Sequence, residues 1–385
     1  MEDARPRRVA LIKGACNYDH LRCFIDAMKM AFEDEGCVAV EVDLAKGADP
    51  QLIAALSRFA PDLVLCFNLD GASLRAPDGG PLGGTALTSW LVDEPYYQAQ
   101  WAAALRAPHV RTVWTNERST AEAQAMGLPD VETVPLAGRT LPRVRGADRD
   151  IDVFFAGSIQ DPEPMAEAWA KSIGPGVAKL MRQSCEAWEA NLRRPLRDVF
   201  REACASAGVG AHQGLERLET MALGPMNRYV RAKHRLRVLR ALADLPLTVV
   251  GDGWDRLVPA ARWRCRPAVP YYVYEEMVSR AKVTLCVQPV HAHGASERYF
   301  ASLANDSALV VNENAWLEAE YPAMHAPFSL EQPDSARARI EALLGDADAR
   351  DAMTEAARTR TMEAHTWRHR ARQLLSRVAR ISRAA

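Results

Sequence analysis

Short apolar runs alternate with amphipathic segments along the first third of the chain. Residues 9–12 form an apolar run, residues 21–35 follow with a helical spacing of apolar side chains, and residues 38–42 are rich in valine. Strand, helix and strand in this order predict parallel βαβ units. The further elements predicted for this half are a helix at residues 50–59 and strands at residues 63–67, 89–92 and 112–115. The strands are almost continuously apolar, as expected when both faces of a sheet are covered.

A second series of the same kind begins after a break in the pattern. Residues 70–84, rich in glycine and proline, predict a loop, and the mixed charge of residues 138–150, with Pro142 and Gly146, predicts a linker. The strands predicted beyond this linker are residues 151–157, 247–251, 283–287 and 308–312. The first two are separated by a long helical insertion that includes residues 164–192 and 228–242. The pattern therefore predicts an α/β protein of two lobes with a cleft between them.

Composition agrees with two folded lobes. The chain has 385 residues, of which 48% are hydrophobic and 25% are charged, as is typical of globular proteins. The net charge of -1 gives no overall attraction to nucleic acid, so we expect no nucleic-acid partner. Residues 358–383 are rich in arginine, but an apolar stripe interrupts them and predicts a docked helix rather than a free basic arm. The stripe comprises Met362, Trp367, Leu374, Leu375, Val378 and Ile381.

The cysteines and histidines do not predict a metal site. The eight cysteines are scattered without a zinc-type spacing, and His291 and His293 have no evident third ligand. No Asp-x-Asp pair ends a strand, so we expect a reaction without a bound metal. Cys66 and Cys286 lie inside apolar runs, where we expect them to be buried.

The ends of the chain and its hydropathy predict a cytoplasmic location. The N-terminal residues lack the length and the cleavage site of a signal peptide. No stretch approaches the ~20 apolar residues that span a bilayer, so we expect no transmembrane segment. Unpaired, scattered cysteines are compatible with a reducing compartment.

Parallel sheets bind ligands beyond the carboxyl ends of their strands, so the polar residues at these ends form the candidate site. The first predicted strand is followed by Gly14, Asn17, Asp19 and His20. Two interpretations of this loop remain open. Asn17 or Asp19 caps the next helix, or else Asp19 or His20 faces an acceptor, since an imidazole exchanges protons near neutral pH.

Two carboxylates follow another predicted strand. Asp93 and Glu94 are adjacent, and Pro95 comes directly after them. Proline favours an extended or turning chain before it, which holds the carboxylates at the end of the strand rather than on a helix. A structural cap and a catalytic carboxylate are equally open interpretations. If the reaction needs a general base from the first lobe, Asp93 is the first candidate.

The second lobe offers candidates for a phosphate or nucleotide site. Gly157 and Ser158 follow its first strand, where a tight turn lets backbone N–H groups approach a phosphate. Trp254 follows Gly251-Asp-Gly, where it either packs in a tight turn or lies beside a planar base. The first strand of the chain is not followed by G-x-G-x-x-G, and a Walker-type phosphate loop is absent from the sequence, which argues against a Rossmann dehydrogenase.

The most polar strand exit, residues 290–298, leads into a predicted helix. Small and polar residues at a helix start, followed by an arginine, supply the backbone donors, the helix dipole and the bidentate cation that a diphosphate needs. The residues that we predict to bind it are His293, Gly294, Ser296 and Arg298. An ion pair of Arg298 with Glu297 is the alternative interpretation.

Five stretches, in the same order along the chain, resemble the CgeB-type (spore-maturation-protein-B-like) glycosyltransferases, a branch of the GT-B glycosyltransferases. They are residues 90–95, 152–158, 247–254, 298–304 and 365–370. The resemblance implies two Rossmann-like lobes, a nucleotide-diphosphate sugar as co-substrate, no other cofactor, and transfer to a protein, glycan or small-molecule acceptor. It assigns residues 1–145 to an acceptor lobe, 146–365 to a donor lobe and 366–385 to a helix that crosses back to the first lobe.

The chain departs from the family at two acidic positions. Where the family has Arg-x-Phe-Glu-Ala-x-Ala-Cys-Gly, this chain has Ala301 in place of Glu and Asn305-Asp306 in place of Cys-Gly. His293 and Ala301 stand where many retaining relatives carry two glutamates. The ribose contact then has to come from another residue, and the anomeric outcome cannot be transferred. A catalytically inactive GT-B scaffold that binds a partner and a sugar-nucleotide epimerase of similar fold remain as alternatives.

Overall fold

The computed structural model describes residues 6–47, 49–76, 78–94, 101–209, 213–290 and 293–384. The first lobe is built on a parallel sheet with the strand order β2-β1-β3-β4-β5-β6. Its strands are β1 (Arg8–Lys13), β2 (Val38–Asp43), β3 (Leu63–Phe67), β4 (Leu87–Leu91), β5 (Val110–Trp114) and β6 (Glu132–Thr133). Its helices are α1 (His20–Asp34), α2 (Pro50–Phe59), α3 (Trp101–Leu105) and α4 (Glu117–Ala125). Every residue of β3 and β4 is buried. The sequence of β3 is apolar throughout, as expected for a strand covered on both faces, whereas β4 also buries Thr88 and Ser89.

Helices of the first lobe begin where the sequence supplies a cap. A side-chain oxygen of Asp49 accepts the backbone N–H of Leu52 at 2.7 Å, and Pro50 occupies the first position of α2. The side chain of Asn116 accepts the N–H of Ser119 at 2.8 Å at the start of α4. These bonds satisfy backbone donors that the helices themselves leave free, and they fix where each helix leaves the sheet.

The second lobe repeats the architecture with the strand order β12-β11-β10-β7-β8-β9, again with parallel neighbours. Its strands are β7 (Ile151–Ala156), β8 (Leu247–Val250), β9 (Arg264–Arg266), β10 (Ala281–Cys286), β11 (Ala308–Asn312) and β12 (Ala326–Phe328). Four helices between β7 and β8 form the insertion: α5 (Pro162–Ser172), α6 (Pro175–Glu189), α7 (Leu196–Ser206) and α8 (Gln213–Ala241). The remaining helices are α9 (Trp254–Leu257), α10 (Tyr271–Ser279), α11 (Glu297–Ala304), α12 (Ala315–Glu320), α13 (Asp334–Gly345), α14 (Ala347–Ala364) and α15 (Trp367–Ala384).

The helical insertion has an apolar core of its own and also contacts the first lobe. Trp169, Trp188 and Phe200 are buried in one cluster between its helices. Arg197 of α7 lies 3.6 Å from the carboxylate of Glu122 on α4. The insertion is therefore attached to both lobes, and α8 runs beside the cleft.

The last helix, α15, packs against α1 of the first lobe. Trp367 at its start lies between aromatic rings of that lobe, 5.1 Å from the ring centroid of Phe24 and 6.0 Å from that of Trp90. The cluster around these rings also includes Phe300 of α11, so it joins both lobes. Ion pairs of Glu35 with arginines of α15 add to the contact. The two lobes are thus connected at the back of the cleft by an apolar core.

The predicted fold class, two α/β lobes facing a cleft, is confirmed. Strands β6, β9 and β12 were not predicted because two or three residues are too few to show a pattern. Cys66 and Cys286 are buried as expected. The apolar stripe is wrong for Met362, which is 47% exposed, because the tail forms two helices and Met362 lies on α14, before the break after residue 364. It is also wrong for Ile381, which is 37% exposed near the end of α15. Within the described helices, none has the length and hydropathy to cross a membrane.

Candidate active site

A cavity of about 440 Å³ lies where the carboxyl ends of the two sheets face each other. The loop after β1 and the residues after β4 contribute the first lobe's side of it. The ends of β7 and β8, Gln288 shortly after β10 and the start of α11 contribute the second lobe's side. Helix α8 adds two arginines, and α10 adds tyrosines. Both lobes therefore supply walls to the same cavity.

The loop after β1 has an unusual backbone. Tyr18 and Asp19 have φ angles of 59° and 57°, in the left-handed region that residues other than glycine rarely adopt. Two such residues in succession store strain, which is common at ligand sites. The hydroxyl of Tyr18 lies 3.4 Å from the Ser158 hydroxyl of the second lobe, so this loop reaches across the cleft. Asp19 stands at the N-cap of α1, but its side chain forms no capping bond.

His20 follows this loop and lines the cavity. Its Nδ1 lies 2.9 Å from the backbone oxygen of Asn17, which fixes the ring. Burial lowers the pKa of His20, but the side chain of Cys16 and the charge of Glu297 in the second lobe outweigh burial, so the net pKa is raised. The imidazole is therefore positioned to carry a proton near neutral pH.

Asp93 reaches the cavity from the end of β4. Its Oδ2 accepts a hydrogen bond from the Asn68 amide at 3.2 Å. Burial raises the pKa of this carboxyl group, and the positive charges of Arg231 and His20 only partly oppose the increase. The neighbouring Glu94, whose pKa burial raises to about 7, does not line the cavity. Of the two adjacent carboxylates, Asp93 is the one that meets the cleft.

Two glycines bring the ends of β7 and β8 into direct contact. The N–H of Gly157 donates to the oxygen of Val250 at 2.7 Å. A Cβ atom at Gly251 would lie only 2.5 Å from the carbonyl of Gly157, so no larger residue fits there. The Ser158 hydroxyl accepts the N–H of Asp252 at 3.1 Å. Because this turn is fixed by backbone contacts, Gly157 and Ser158 present a rigid surface to the cavity.

The start of α11 brings polar groups to the same cavity. The Ser296 hydroxyl caps the helix by accepting the N–H of Arg298 at 3.3 Å, and it donates to Oε2 of Glu297 at 2.9 Å. The guanidinium of Arg298 donates to the backbone oxygen of Ala156 and lies 5.8 Å from the ring centroid of Tyr274. Its Nε is 3.4 Å from Glu297, so the predicted ion pair forms, while the side chain remains 25% exposed. Arg298 is held in place and still accessible.

Arg231 and Arg235 lie one turn apart on α8 and both line the cavity. Arg235 is only 8% exposed, and its Nε donates to the backbone oxygen of Val287 at 3.3 Å. Burial and the like charges of Arg231 and Arg298 lower the pKa of Arg235 well below its usual range. Among the described carboxylates, none lies at ion-pair distance from Arg231 or Arg235. A buried cation without a counterion destabilises the folded protein, and a bound anion would remove this destabilisation.

Two further buried polar groups border the cavity without a hydrogen-bond partner among the described residues. They are the hydroxyl of Tyr274 and the Oε1 atom of Gln288. Unpaired buried polar atoms are uncommon in folded proteins, and a ligand is one of the explanations for them.

Three of the residues predicted to bind the donor do not line the cavity. Trp254 is 0% exposed and donates its indole N–H to the oxygen of Gly157 at 2.7 Å, which agrees with the interpretation that it packs in a tight turn. His293 is exposed and contacts the oxygen of Arg193 at 3.2 Å. Gly294 accepts a hydrogen bond from Asn314 at 3.0 Å instead of facing the cavity.

Asp19, predicted as a catalytic candidate, also lies away from the cavity. Its exposed carboxylate is 3.6 Å from Arg22 of the same helix turn. Pro95 and His291 lie outside the described residues. Within the described part of the chain, groups of three or more His, Cys, Asp or Glu side chains that could hold a metal ion are not found. The predicted residues that the structure does bring together at the cavity are His20, Asp93, Gly157, Ser158, Ser296 and Arg298.

The sequence analysis missed Arg231 and Arg235. They belong to a segment of α8 with six basic residues between residues 228 and 240, and nothing in that pattern separates the two that face the cleft. A search limited to strand ends could not find residues that a helix carries into the cavity. Their spacing of four residues places them on one helix face, but Lys233 and Arg237 share that spacing, so it does not single them out.

Comparison with known proteins adds a family to this geometry. Residues 231–376 match the model of the glycosyl transferase-like family. The matched segment begins at Arg231 and includes the start of α11. The sequence has no significant match among curated proteins.

Several solved structures share the fold over nearly the whole chain. Sucrose-phosphate synthase from Thermosynechococcus elongatus is 10% identical, with 98% of this chain and 100% of that chain covered and a TM-score of 0.55. AviGT4, a glycosyltransferase involved in avilamycin A biosynthesis, is 13% identical over 99% of both chains, with a TM-score of 0.53. T4 phage BGT in complex with its UDP-glucose substrate is 8% identical, with coverages of 96% and 99% and a TM-score of 0.50. Identities this low establish the fold alone.

The two facing parallel sheets and these neighbours define the GT-B fold. The family match, which extends from within α8 to within α15, adds the activity class. The protein is a glycosyltransferase of the GT-B type.

Proposed function

We propose that this glycosyltransferase moves a sugar from a nucleotide-diphosphate donor to a hydroxyl group of a protein, glycan or small-molecule acceptor. The observation that carries the proposal is one cavity with arginines from the second lobe and a carboxylate and an imidazole from the first. The UDP-glucose complex of T4 phage BGT supports a sugar nucleotide as the kind of donor.

The second lobe supplies what a diphosphate needs. Arg231, Arg235 and Arg298 bring positive charge, and the N-terminus of α11 adds the helix dipole. The rigid turn at Gly157 and Ser158 offers a close approach to the backbone. When the bond between the sugar and the diphosphate breaks, negative charge grows on the leaving phosphate, and these groups stabilise it. We therefore propose that the reaction proceeds without a metal ion.

The first lobe supplies the proton acceptor. In our mechanism the carboxylate of Asp93 takes the proton from the acceptor hydroxyl while the hydroxyl oxygen forms its bond to the anomeric carbon. The raised pKa of Asp93 suits this role, because a general base works best when its pKa lies nearer the working pH. The positive charge of His20 then adds to the stabilisation of the leaving diphosphate.

We also propose that the protein belongs to the CgeB-type branch and acts in the cytoplasm. The five stretches of residues 90–95, 152–158, 247–254, 298–304 and 365–370 support the branch, and Arg298 with its neighbours lies at the cavity that the branch requires. Fractionation of the producing cells, with detection of the protein, would test the location; recovery from membranes or medium would contradict it.

A panel of UDP, GDP, ADP and dTDP in a thermal-shift assay tests the donor site, because a ligand that binds the folded state raises its stability. We expect one nucleotide to raise the Tm by several degrees. Product analysis of the matching sugar nucleotides, with and without candidate acceptors, then separates transfer from epimerisation and from an inactive scaffold. Activity should persist in the presence of EDTA. A panel without any shift, or activity lost with EDTA and restored by Mg²⁺ or Mn²⁺, would contradict the corresponding part of the proposal.

A further inference from the structure

Glu297 is a negative charge within a group of positive ones. Its carboxylate lines the cavity together with Arg231, Arg235 and Arg298. The Ser296 hydroxyl and the Nε of Arg298 hold it, at 2.9 Å and 3.4 Å. Its side chain nevertheless remains 26% exposed, so a ligand in the cavity can reach it.

The charge of Glu297 excludes a direct role in phosphate binding. Burial alone would raise the pKa of this carboxyl group, but Arg298 and His20 outweigh burial and lower the pKa. The ionised carboxylate has only acceptor atoms, and so does a phosphate, so the two repel each other. A ligand group that touches Glu297 must donate a hydrogen bond, as a hydroxyl group does.

The position of Glu297 indicates which part of a sugar nucleotide this would be. It is adjacent to Arg298 in the second lobe, and its charge acts on His20 of the first lobe. Glu297 lines the same cavity as the arginines of the second lobe and as His20 and Asp93 of the first, so a donor held by those arginines can reach it. In a bound donor, the transferred sugar is the part that extends from the diphosphate towards the acceptor, because the attack takes place on its anomeric carbon.

We propose that Glu297 binds the transferred sugar by accepting hydrogen bonds from its hydroxyl groups, and that it is a specificity-determining residue of the donor site. This inference rests on the proposed function. The residue one turn later on the same face of α11 is Ala301, which has no polar atom to share the role.

The test compares two ligands in Glu297→Gln, Glu297→Asp and the parent. The first ligand is the member of UDP, GDP, ADP and dTDP that stabilises the parent most. The second is a sugar nucleotide of the same nucleoside diphosphate. Its sugar is glucose, galactose or N-acetylglucosamine, whichever the parent binds most tightly. Isothermal titration gives a Kd for each pair. Glu313→Gln is the matched control, because Glu313 lies on the same lobe, is exposed and does not line the cavity.

We expect Glu297→Gln to bind the plain nucleoside diphosphate as tightly as the parent or more tightly, since it removes a repulsive charge. The sugar nucleotide should bind about tenfold more weakly, the loss typical of a hydrogen bond to a charged group. Glu297→Asp keeps the charge but withdraws the carboxylate by one methylene, so it should lose affinity for the sugar nucleotide alone. The control should match the parent.

An equal loss for both ligands would mean that Glu297 acts only by positioning Arg298, and would overturn the inference. Unchanged affinity for both ligands would overturn it as well. In either case the proposed function would stand, because the parent still binds a nucleoside diphosphate. A parent that binds none of the four nucleotides would overturn both proposals.

Discussion

The two edges that face the cleft differ in the kind of charge that they carry. The first lobe presents Asp93 and His20, single titratable groups whose pKa values are both raised. The second lobe presents Arg231, Arg235 and Arg298, and guanidinium groups keep their charge in the working range of an enzyme. The first edge carries groups that can exchange protons, whereas the second carries three cations beside the single carboxylate of Glu297. The comparison indicates a division of labour, with proton transfer in the first lobe and diphosphate binding in the second.

The largest effect is expected for Asp93→Asn, which tests whether the first lobe carries out the proton transfer. The amide keeps the shape but cannot take a proton, so turnover should fall by about 10²–10⁴-fold, the usual contribution of a general base. Affinity for a nucleoside diphosphate should change little, because Asp93 lies on the other edge. Steady-state transfer assays measure the first effect. Asp78→Asn, an exposed position of the same lobe, is the control and should keep full activity.

The same variant should be more stable than the parent at neutral pH. Burial raises the pKa of Asp93, so the folded protein binds this proton more tightly than the unfolded chain does. The associated stability is present below the unfolded pKa of about 3.9 and is lost as the pH rises through the higher folded pKa. Thermal unfolding at several pH values should therefore show a higher Tm for Asp93→Asn at pH 7 and no difference at low pH. A lower Tm at pH 7 would contradict the assignment of a raised pKa.

On the second edge, the largest effect is expected for Arg235→Met. The buried guanidinium has no described counterion, so its loss should weaken nucleoside-diphosphate binding more than tenfold. The free protein should become as stable as the parent or more stable, because methionine fills the space without a charge. Isothermal titration and thermal unfolding measure the two effects. Arg237→Met, two residues along and exposed, should change neither.

Arg298→Ala should have a smaller effect of the same kind. Loss of a charged hydrogen bond costs roughly 1.5–3 kcal/mol, so binding of a nucleoside diphosphate should weaken about tenfold or more. The Tm should shift little, since the partly exposed pair with Glu297 contributes only ~0–1 kcal/mol. Arg280→Ala removes a comparable surface pair with Asp150 and serves as the control for both measurements. Equal nucleotide affinity in parent and Arg298→Ala would remove Arg298 from the site.

The smallest effect is expected for His20→Asn. Cys16 and Glu297 keep His20 protonated to a higher pH than an ordinary histidine, so its positive charge should assist diphosphate binding and be lost as the pH rises. In the parent, the affinity for a nucleoside diphosphate should fall severalfold as the pH rises above the ordinary histidine pKa of about 6.5 and through the raised pKa of His20. His20→Asn should flatten this dependence, whereas His109→Asn, which does not line the cavity, should retain it. If the pH dependence of the affinity is unchanged in His20→Asn, a group other than His20 causes it.

The fold could be predicted from the sequence to a large extent because it is determined locally. Strand β3 is apolar throughout and β7 is apolar except for Asp152, so both predict buried strands. Asp49 and Pro50 likewise predict the start of α2. The edge strands β9 and β12 could not be predicted, because three residues in a strand are defined by the neighbours they pair with.

The site could be predicted only where a strand end determines it. Asp93, Gly157 and Ser158 follow strands directly and lie at the cavity. Trp254 also follows a strand, but the contact of Gly157 with Gly251 draws its indole into the core, and that contact joins residues 94 positions apart. The arginines of α8 reach the cavity because the second half of that helix lies along its wall. Contacts of this kind depend on tertiary structure, which no local pattern records.

The most direct test of the division of labour is the Kd of one nucleoside diphosphate, measured side by side for the parent, Asp93→Asn and Arg298→Ala by isothermal titration. Our account predicts that Asp93→Asn binds like the parent and that Arg298→Ala binds about tenfold or more weakly. Equal weakening in both variants, or weakening in Asp93→Asn alone, would show that the diphosphate does not lie on the second lobe's edge and would contradict the account.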